Sequence, residues 1–258
     1  NYPFATIEPN TGIVPVPDSR LQVLADMYHT QKIIPATVTF VDIAGLVAGA
    51  SQGEGLGNKF LHNIRECDTI VHVVRAFENS EILRHDEAPI DPKKDIDIIN
   101  TELILADIQT IESRLPRLQK EAKADPKART RRDYLERLLT HLGSGTPLSA
   151  LPSLDKEAIY DLHLLTAKPV IYAFNVDEAT LTDTDARKKL ADLVAPARTI
   201  FLCAKIEEEI KDLPEEDALE LLESYGVKNT GLNQLISTPY DTLGLQTYLT
   251  AGEKEVRA

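Results

Sequence analysis

The sequence predicts an α/β fold: a mostly parallel sheet interrupted by an inserted antiparallel helical coiled-coil arm. Two observations predict it. Four apolar runs of strand length recur, "TVTFVDI" (37–43), "TIVHVV" (69–74), "PVIYAFNV" (169–176) and "TIFLCA" (199–204). Between the second and third, Ile104, Ile108, Ile111, Leu115, Leu118 and Ala122 keep an unbroken 4-3-4-3-4 spacing.

The apolar runs are rich in β-branched residues and barely alternate, as strands covered on both faces do. Helical patterns separate them, among them Gly57 to Glu66 and Thr184 to Leu193. That alternation favours parallel pairing. The 4-3 spacing is a heptad seam. "KADPKA" (123–128) turns the chain, and a second helix, about Arg129 to Leu142, carries Leu135, Leu138, Leu139 and Leu142 before Gly143 ends it. Two seams joined by a short turn read as a helical hairpin. Helices lying on the sheet would also show apolar stripes; the unbroken spacing favours a projecting arm. Pro116 falls inside the first helix and should kink it.

Composition bounds the function. Hydrophobic residues make up 43% of 258, enough for a sizeable core, and the net charge is −13. An acidic chain repels nucleic acid except at a local basic patch. Residues 114–137 supply one: nine Lys or Arg against four Asp or Glu, a net of +5. That suits RNA or an acidic protein at the arm's tip, or else a solvated helix face. Only Cys67 and Cys203 occur, which argues for a reducing compartment and against a disulfide framework. No apolar run approaches the ~18 residues of a membrane span. The chain starts at Asn1 without a signal pattern and stops within a strand-like segment, "LQTYLTAGEKEVRA", so it reads as an excerpt cut at both ends.

The stretch 41–60, "VDIAGLVAGASQGEGLGNKF", holds five of the 12 glycines. It fits neither a Walker loop, because Lys59 is followed by Phe60, nor the dinucleotide fingerprint, because Gly53, Gly55 and Gly57 are spaced G-x-G-x-G. Its strong element is Asp42-Ile43-Ala44-Gly45 at the end of an apolar strand. There an Asp can hold Mg²⁺ and a Gly amide can meet a γ-phosphate. Glycines beyond it let the backbone change angle at little steric cost. Three further pieces fall in matching order: Thr6 in "YPFATIEPN", a hydroxyl for Mg²⁺; "NVDE" (175–178), where a base-reading motif would end the third run; and "CAK" (203–205), where a base-side loop would end the fourth.

With these pieces in place, "NYPFATIEPNTG", "VDIAGLVAGASQGEGLGNKFLHNIRE", "VVRAFEN", "DPKKDIDIINTELILAD" and "LGLQTYLTAGEKEVRA" resemble the Obg-like ATPase (YchF) family over essentially the whole chain. The resemblance implies a P-loop NTPase-like domain with an inserted coiled coil, followed by a small TGS domain. It further implies a cytoplasmic, Mg²⁺-dependent enzyme that prefers ATP and associates with ribosomes. The expected division is nucleotide-binding domain 1–95 and 149–236, helical insertion 96–148, and the start of the TGS domain at 237–258.

Residue by residue, the resemblance makes Thr6 and Asp42 the metal residues and Gly45 the γ-phosphate sensor. Leu46 stands where related switches carry a water-orienting glutamine, and leucine cannot hydrogen-bond water. The family's mobile histidine then falls on His85, able to orient or deprotonate water as neutral imidazole. Asn175, Val176 and Glu178 form the base motif, with Ala204 and Lys205 beside the base. Val176 and Glu178 replace the lysine and aspartate that hold guanine, so ATP is expected over GTP. Arg129, Arg131 and Arg132 are the arm residues expected to meet ribosomal RNA. No Gly-x-x-x-x-Gly-Lys-Ser/Thr occurs in the 258 residues. The chain alone is therefore expected to be inactive and poorly stable, and a non-catalytic scaffold is the competing expectation.

Overall fold

A computed structural model describes residues 10–43, 56–78, 89–211, 213–227 and 229–258. In chain order the elements begin with β1 (Asn10–Pro15), α1 (Ser19–Tyr28), β2 (Ile33–Ile34), β3 (Thr37–Asp42), α2 (Leu56–Glu66) and β4 (Ile70–Ala76). There follow α3 (Pro92–Glu121), α4 (Pro126–Gly143), α5 (Lys156–Ile159), β5 (Val170–Val176), α6 (Glu178–Thr182), α7 (Thr184–Asp192) and β6 (Arg198–Leu202). The chain closes with α8 (Ala204–Ile210), α9 (Glu215–Ser224), α10 (Gly231–Thr242), β7 (Thr250–Ala251) and β8 (Val256–Arg257). The described residues fall into two units.

The first unit is helical: α2, then α3 through to Pro169. The heptad seam is its core. Ile104, Ile111, Leu118 and Ala122 of α3 are buried with Ala128, Leu135, Leu138 and Leu142 of α4, and Ile108, Leu115 and Leu139 pack at the margin. Asp125 starts α4 by accepting the Lys127 N–H at 2.9 Å, with Pro126 in the first turn. Pro116 lies inside α3 without ending it. The expected two-helix arm is incomplete in one respect. Leu148, Ile159, Leu162 and Leu164 are buried in the same core, so a third segment walls the hairpin. Two helices leave one side of an apolar seam open to water, and these four residues close it.

The second unit carries the strands, and among the described residues they form three sheets rather than one mostly parallel sheet. β5 pairs parallel with β6, from Ile171 opposite Arg198 to Asn175 opposite Leu202, and β4 lies on the other side of β5. Ile171, Ala173 and Phe174 are fully buried, the consequence of cover on both faces. β1 and β3 are antiparallel, Asn10 opposite Asp42 and Pro15 opposite Thr37. No ladder joins β3 to β4 among the described residues. The third sheet, β2-β8-β7, pairs β2 parallel with β8 and β8 antiparallel with β7. Val256 of β8 packs with Leu21 and Ala25 of α1. Among the described residues no helix is long and apolar enough to cross a membrane.

Candidate functional site

The ends of β5 and β6 place four expected residues together. Asn175 is next to last in β5, and its Oδ1 accepts the Ala204 N–H at 3.1 Å across 29 residues of sequence. Asp177 caps α6 by accepting the Thr180 N–H at 2.7 Å, which sets Glu178 in the first turn. Glu178 Oε1 lies 2.8 Å from Lys205 Nζ, the second residue of α8. That hydrogen bond, reinforced by the carboxylate's charge, raises the lysine's pKa.

This arrangement fixes what each group can offer. The Ala204 N–H is donated to Asn175 Oδ1. Asn175 retains one lone pair on Oδ1 and both Nδ2 hydrogens, the donor–acceptor pair that matches adenine's N7 and amino group. Glu178 is engaged by Lys205, so guanine's N–H donors would have to displace an ammonium. Both partners are exposed, so solvent screens the pair and it holds weakly. Val176 is 1% exposed and packs inward, so its side chain does not reach this cluster. β-alternation explains the difference: Asn175 and Val176 face opposite ways along β5.

Asp42 closes β3, with an exposed carboxylate that makes no hydrogen bond or ion pair with any described residue. An unspent hard oxygen donor suits Mg²⁺. No group of three or more His, Cys, Asp or Glu gathers as a metal site among the described residues. Thr6, Gly45, Leu46 and His85 lie outside the described residues.

The three arginines expected at the arm each have a partner within the chain. Arg131 pairs with Asp161 and donates to the Ala158 carbonyl at 3.0 Å. Arg132 pairs with Asp133 and Glu136, and Arg129 reaches the Ala122 carbonyl at 3.5 Å. Charge counting cannot see such pairing, because Asp161 lies 30 residues beyond Arg131. Lys120, Lys123 and Lys127, around the turn, are exposed and form no ion pair with a described residue. Sequence reasoning also missed Glu207 of α8. Its carboxylate accepts the Gly231 N–H at 2.6 Å and seats α10 beside the end of β6; its partner is 24 residues away and no local pattern marks it.

Comparison with known proteins fits this geometry. Residues 1–106 match the family model described as 50S ribosome-binding GTPase. The chain is similar to the ribosome-binding ATPase YchF of Haemophilus influenzae, 49% identical over 264 residues, covering all of this chain and 72% of the relative. The Bacillus subtilis protein of that name is 46% identical over 266 residues, with the same coverage. The solved structure of the Schizosaccharomyces pombe YchF GTPase superposes with a TM-score of 0.81 at 36% identity, over all of this chain and 71% of that one. The fold is thus P-loop-NTPase-like, and the chain belongs to the YchF family.

Proposed function

We propose that this chain is the nucleotide-reading and arm-bearing part of a cytoplasmic, Mg²⁺-dependent switch that hydrolyses ATP in preference to GTP and associates with ribosomes. The observation that carries it is the cluster at the ends of β5 and β6: Asn175 oriented by the Ala204 N–H, and Glu178 held by Lys205. The relatives' names, ribosome-binding ATPase, support the same reading.

In this proposal Asn175 reads adenine, while Glu178 sits wrongly for guanine. Thr6 and Asp42 hold Mg²⁺, which would neutralise triphosphate charge. Gly45 senses the γ-phosphate and His85 orients water in place of the glutamine that Leu46 lacks. Residues 237–258 begin a TGS-type domain. Lys120, Lys123 and Lys127 replace the arginines as the arm's contact with RNA phosphates, because lysine ammonium groups without internal partners can release counterions on binding. The absence of a Gly-Lys-Ser/Thr motif from the 258 residues favours a scaffold reading for the isolated chain, which should not turn over ATP.

The test is calorimetric titration of the full-length protein with ATP and GTP, alongside Asn175→Ala. ATP binding tighter than GTP binding, and lost in the variant, supports the reading. Tighter GTP binding overturns it.

A further inference from the structure

The foot of the arm is fastened to α2, the helix that directly follows the glycine stretch in sequence. Leu61 and Ile64 of α2 pack with Leu103 and Ala106 of α3 and with Leu165. Polar contacts tighten the same place. Arg65 donates to Thr110 Oγ1 at 3.1 Å and to the His163 carbonyl at 3.3 Å. Lys168 Nζ donates to the carbonyls of Arg65, at 3.0 Å, and Cys67, the open end of α2. Asp107, fully buried in α3, accepts the Leu165 N–H at 2.7 Å and the Thr166 N–H at 2.8 Å. The segment 163–169 is therefore a knot tied to α2 by Arg65 and Lys168 and to α3 by Asp107. The Asp107 part is buried and fully bonded, and such networks are stiff, while Arg65 and Lys168 are half-buried.

From this joint α3 continues without a break to Glu121, at the arm's tip. Fourteen residues of helix span about 21 Å, so a rotation of about 10° at the joint moves the tip by about 4 Å.

We infer that α3 is a lever whose foot is driven by α2, so that the nucleotide state sensed before α2 sets the position of the basic tip on its partner. The inference rests on the reading of the glycine stretch as phosphate-sensing. Arg65 is a positioning residue in it, distant in role from the chemistry. By thermodynamic reciprocity, the partner at the tip changes nucleotide affinity by the same factor.

The test uses the full-length protein, ribosomes, and either ADP or a non-hydrolysable ATP analogue. In the wild type the two ribosome affinities should differ by about fivefold or more. In Arg65→Ala and in Thr110→Val, which keeps the side chain's shape, that ratio should fall toward one. Nucleotide affinity, basal turnover and the circular dichroism spectrum should stay as in the wild type. Variants that keep the wild-type ratio overturn the lever, as does a wild type that binds both nucleotides yet shows a ratio of one. A wild type that binds neither nucleotide overturns the underlying switch reading instead.

Discussion

Asp107 accepts two hydrogen bonds from Thr166, 59 residues away: one from its amide at 2.8 Å and one from its hydroxyl at 2.7 Å. Both residues are buried, and a third donor, the Leu165 N–H, completes the site. Asp107→Ala leaves two amides without partners in a place water does not reach. Each unmet donor costs about 1–3 kcal/mol, partly offset because the carboxylate's own desolvation is relieved. We expect a net loss of about 3 kcal/mol in urea unfolding, near the top of the usual range for single substitutions. Asp107→Asn keeps one acceptor and should lose less.

The same burial sets a pH dependence. Desolvation raises the Asp107 pKa above its ordinary 3.8, against the lowering effect of the Thr166 and Leu165 hydrogen bonds. A raised pKa means that the folded state binds the proton more tightly than the unfolded state. This group's contribution is therefore fully present below 3.8 and is lost as pH rises through the folded pKa. Urea midpoints measured across that window should carry a downward component in the wild type that is missing from Asp107→Asn.

Gly231 opens α10 with no room for a side chain. A Cβ there would lie 2.8 Å from the Leu202 Cβ and 3.0 Å from Glu207 Oε1. The backbone conformation is ordinary, so the constraint is close approach. Gly231→Ala must push α10 off β6 or displace the Glu207 carboxylate that caps it. Overpacking of this kind costs about 1–3 kcal/mol, to be read from the thermal melting midpoint. An unchanged midpoint would show that α10 shifts freely.

The arm separates two effects that a charge reversal would confuse. Arg131→Ala removes contacts to Asp161 and Ala158 and should lower stability as well as any ribosome binding. Changing Lys120, Lys123 and Lys127 to Ala removes only exposed charge. Stability should hold while the salt dependence of ribosome binding flattens by about one unit of slope per lost phosphate contact. Co-sedimentation across a salt series checks it, and an unchanged slope would move the contact elsewhere.

The seam from Ile104 to Ala122 was legible because coiled-coil spacing repeats over many residues, and all six positions join one core. The apolar runs that became β3 to β6 were legible from β-branched composition, although only β5 is mostly buried. β1, "NTGIVP", was not: it pairs along one edge, is exposed at five of six positions, and carries Gly and Pro. β2, β7 and β8 have two residues each, too few for any period to register. The close of β5 and the start of α6 were legible in the run from Asn175 to Glu178, an apolar strand ending in an Asp cap. The engagement of Lys205, Arg131 and Asp107 was not, because each partner lies 27 to 59 residues off and only folding brings them together.

Docking of the C-terminal segment divides between a buried valine and an exposed ion pair, and magnitude decides which matters. Val256 is fully buried against Leu21 and Ala25, and its N–H bonds to the Lys32 carbonyl at 2.9 Å. Beside it Glu255 pairs with Lys32 at 2.7 Å, but the lysine side chain is 64% exposed. Two methylene-sized groups removed from a packed site cost about 1.5–2.5 kcal/mol with the cavity they leave. An exposed pair is screened by salt. Val256→Ala should therefore speed amide exchange at Val256 and at Ala258, whose N–H bonds to the Ile34 carbonyl at 2.9 Å, at any salt concentration. Glu255→Gln should speed it less, and the difference from wild type should vanish in high salt. If the glutamine variant had the larger effect, charge and not packing would hold β8 to β2.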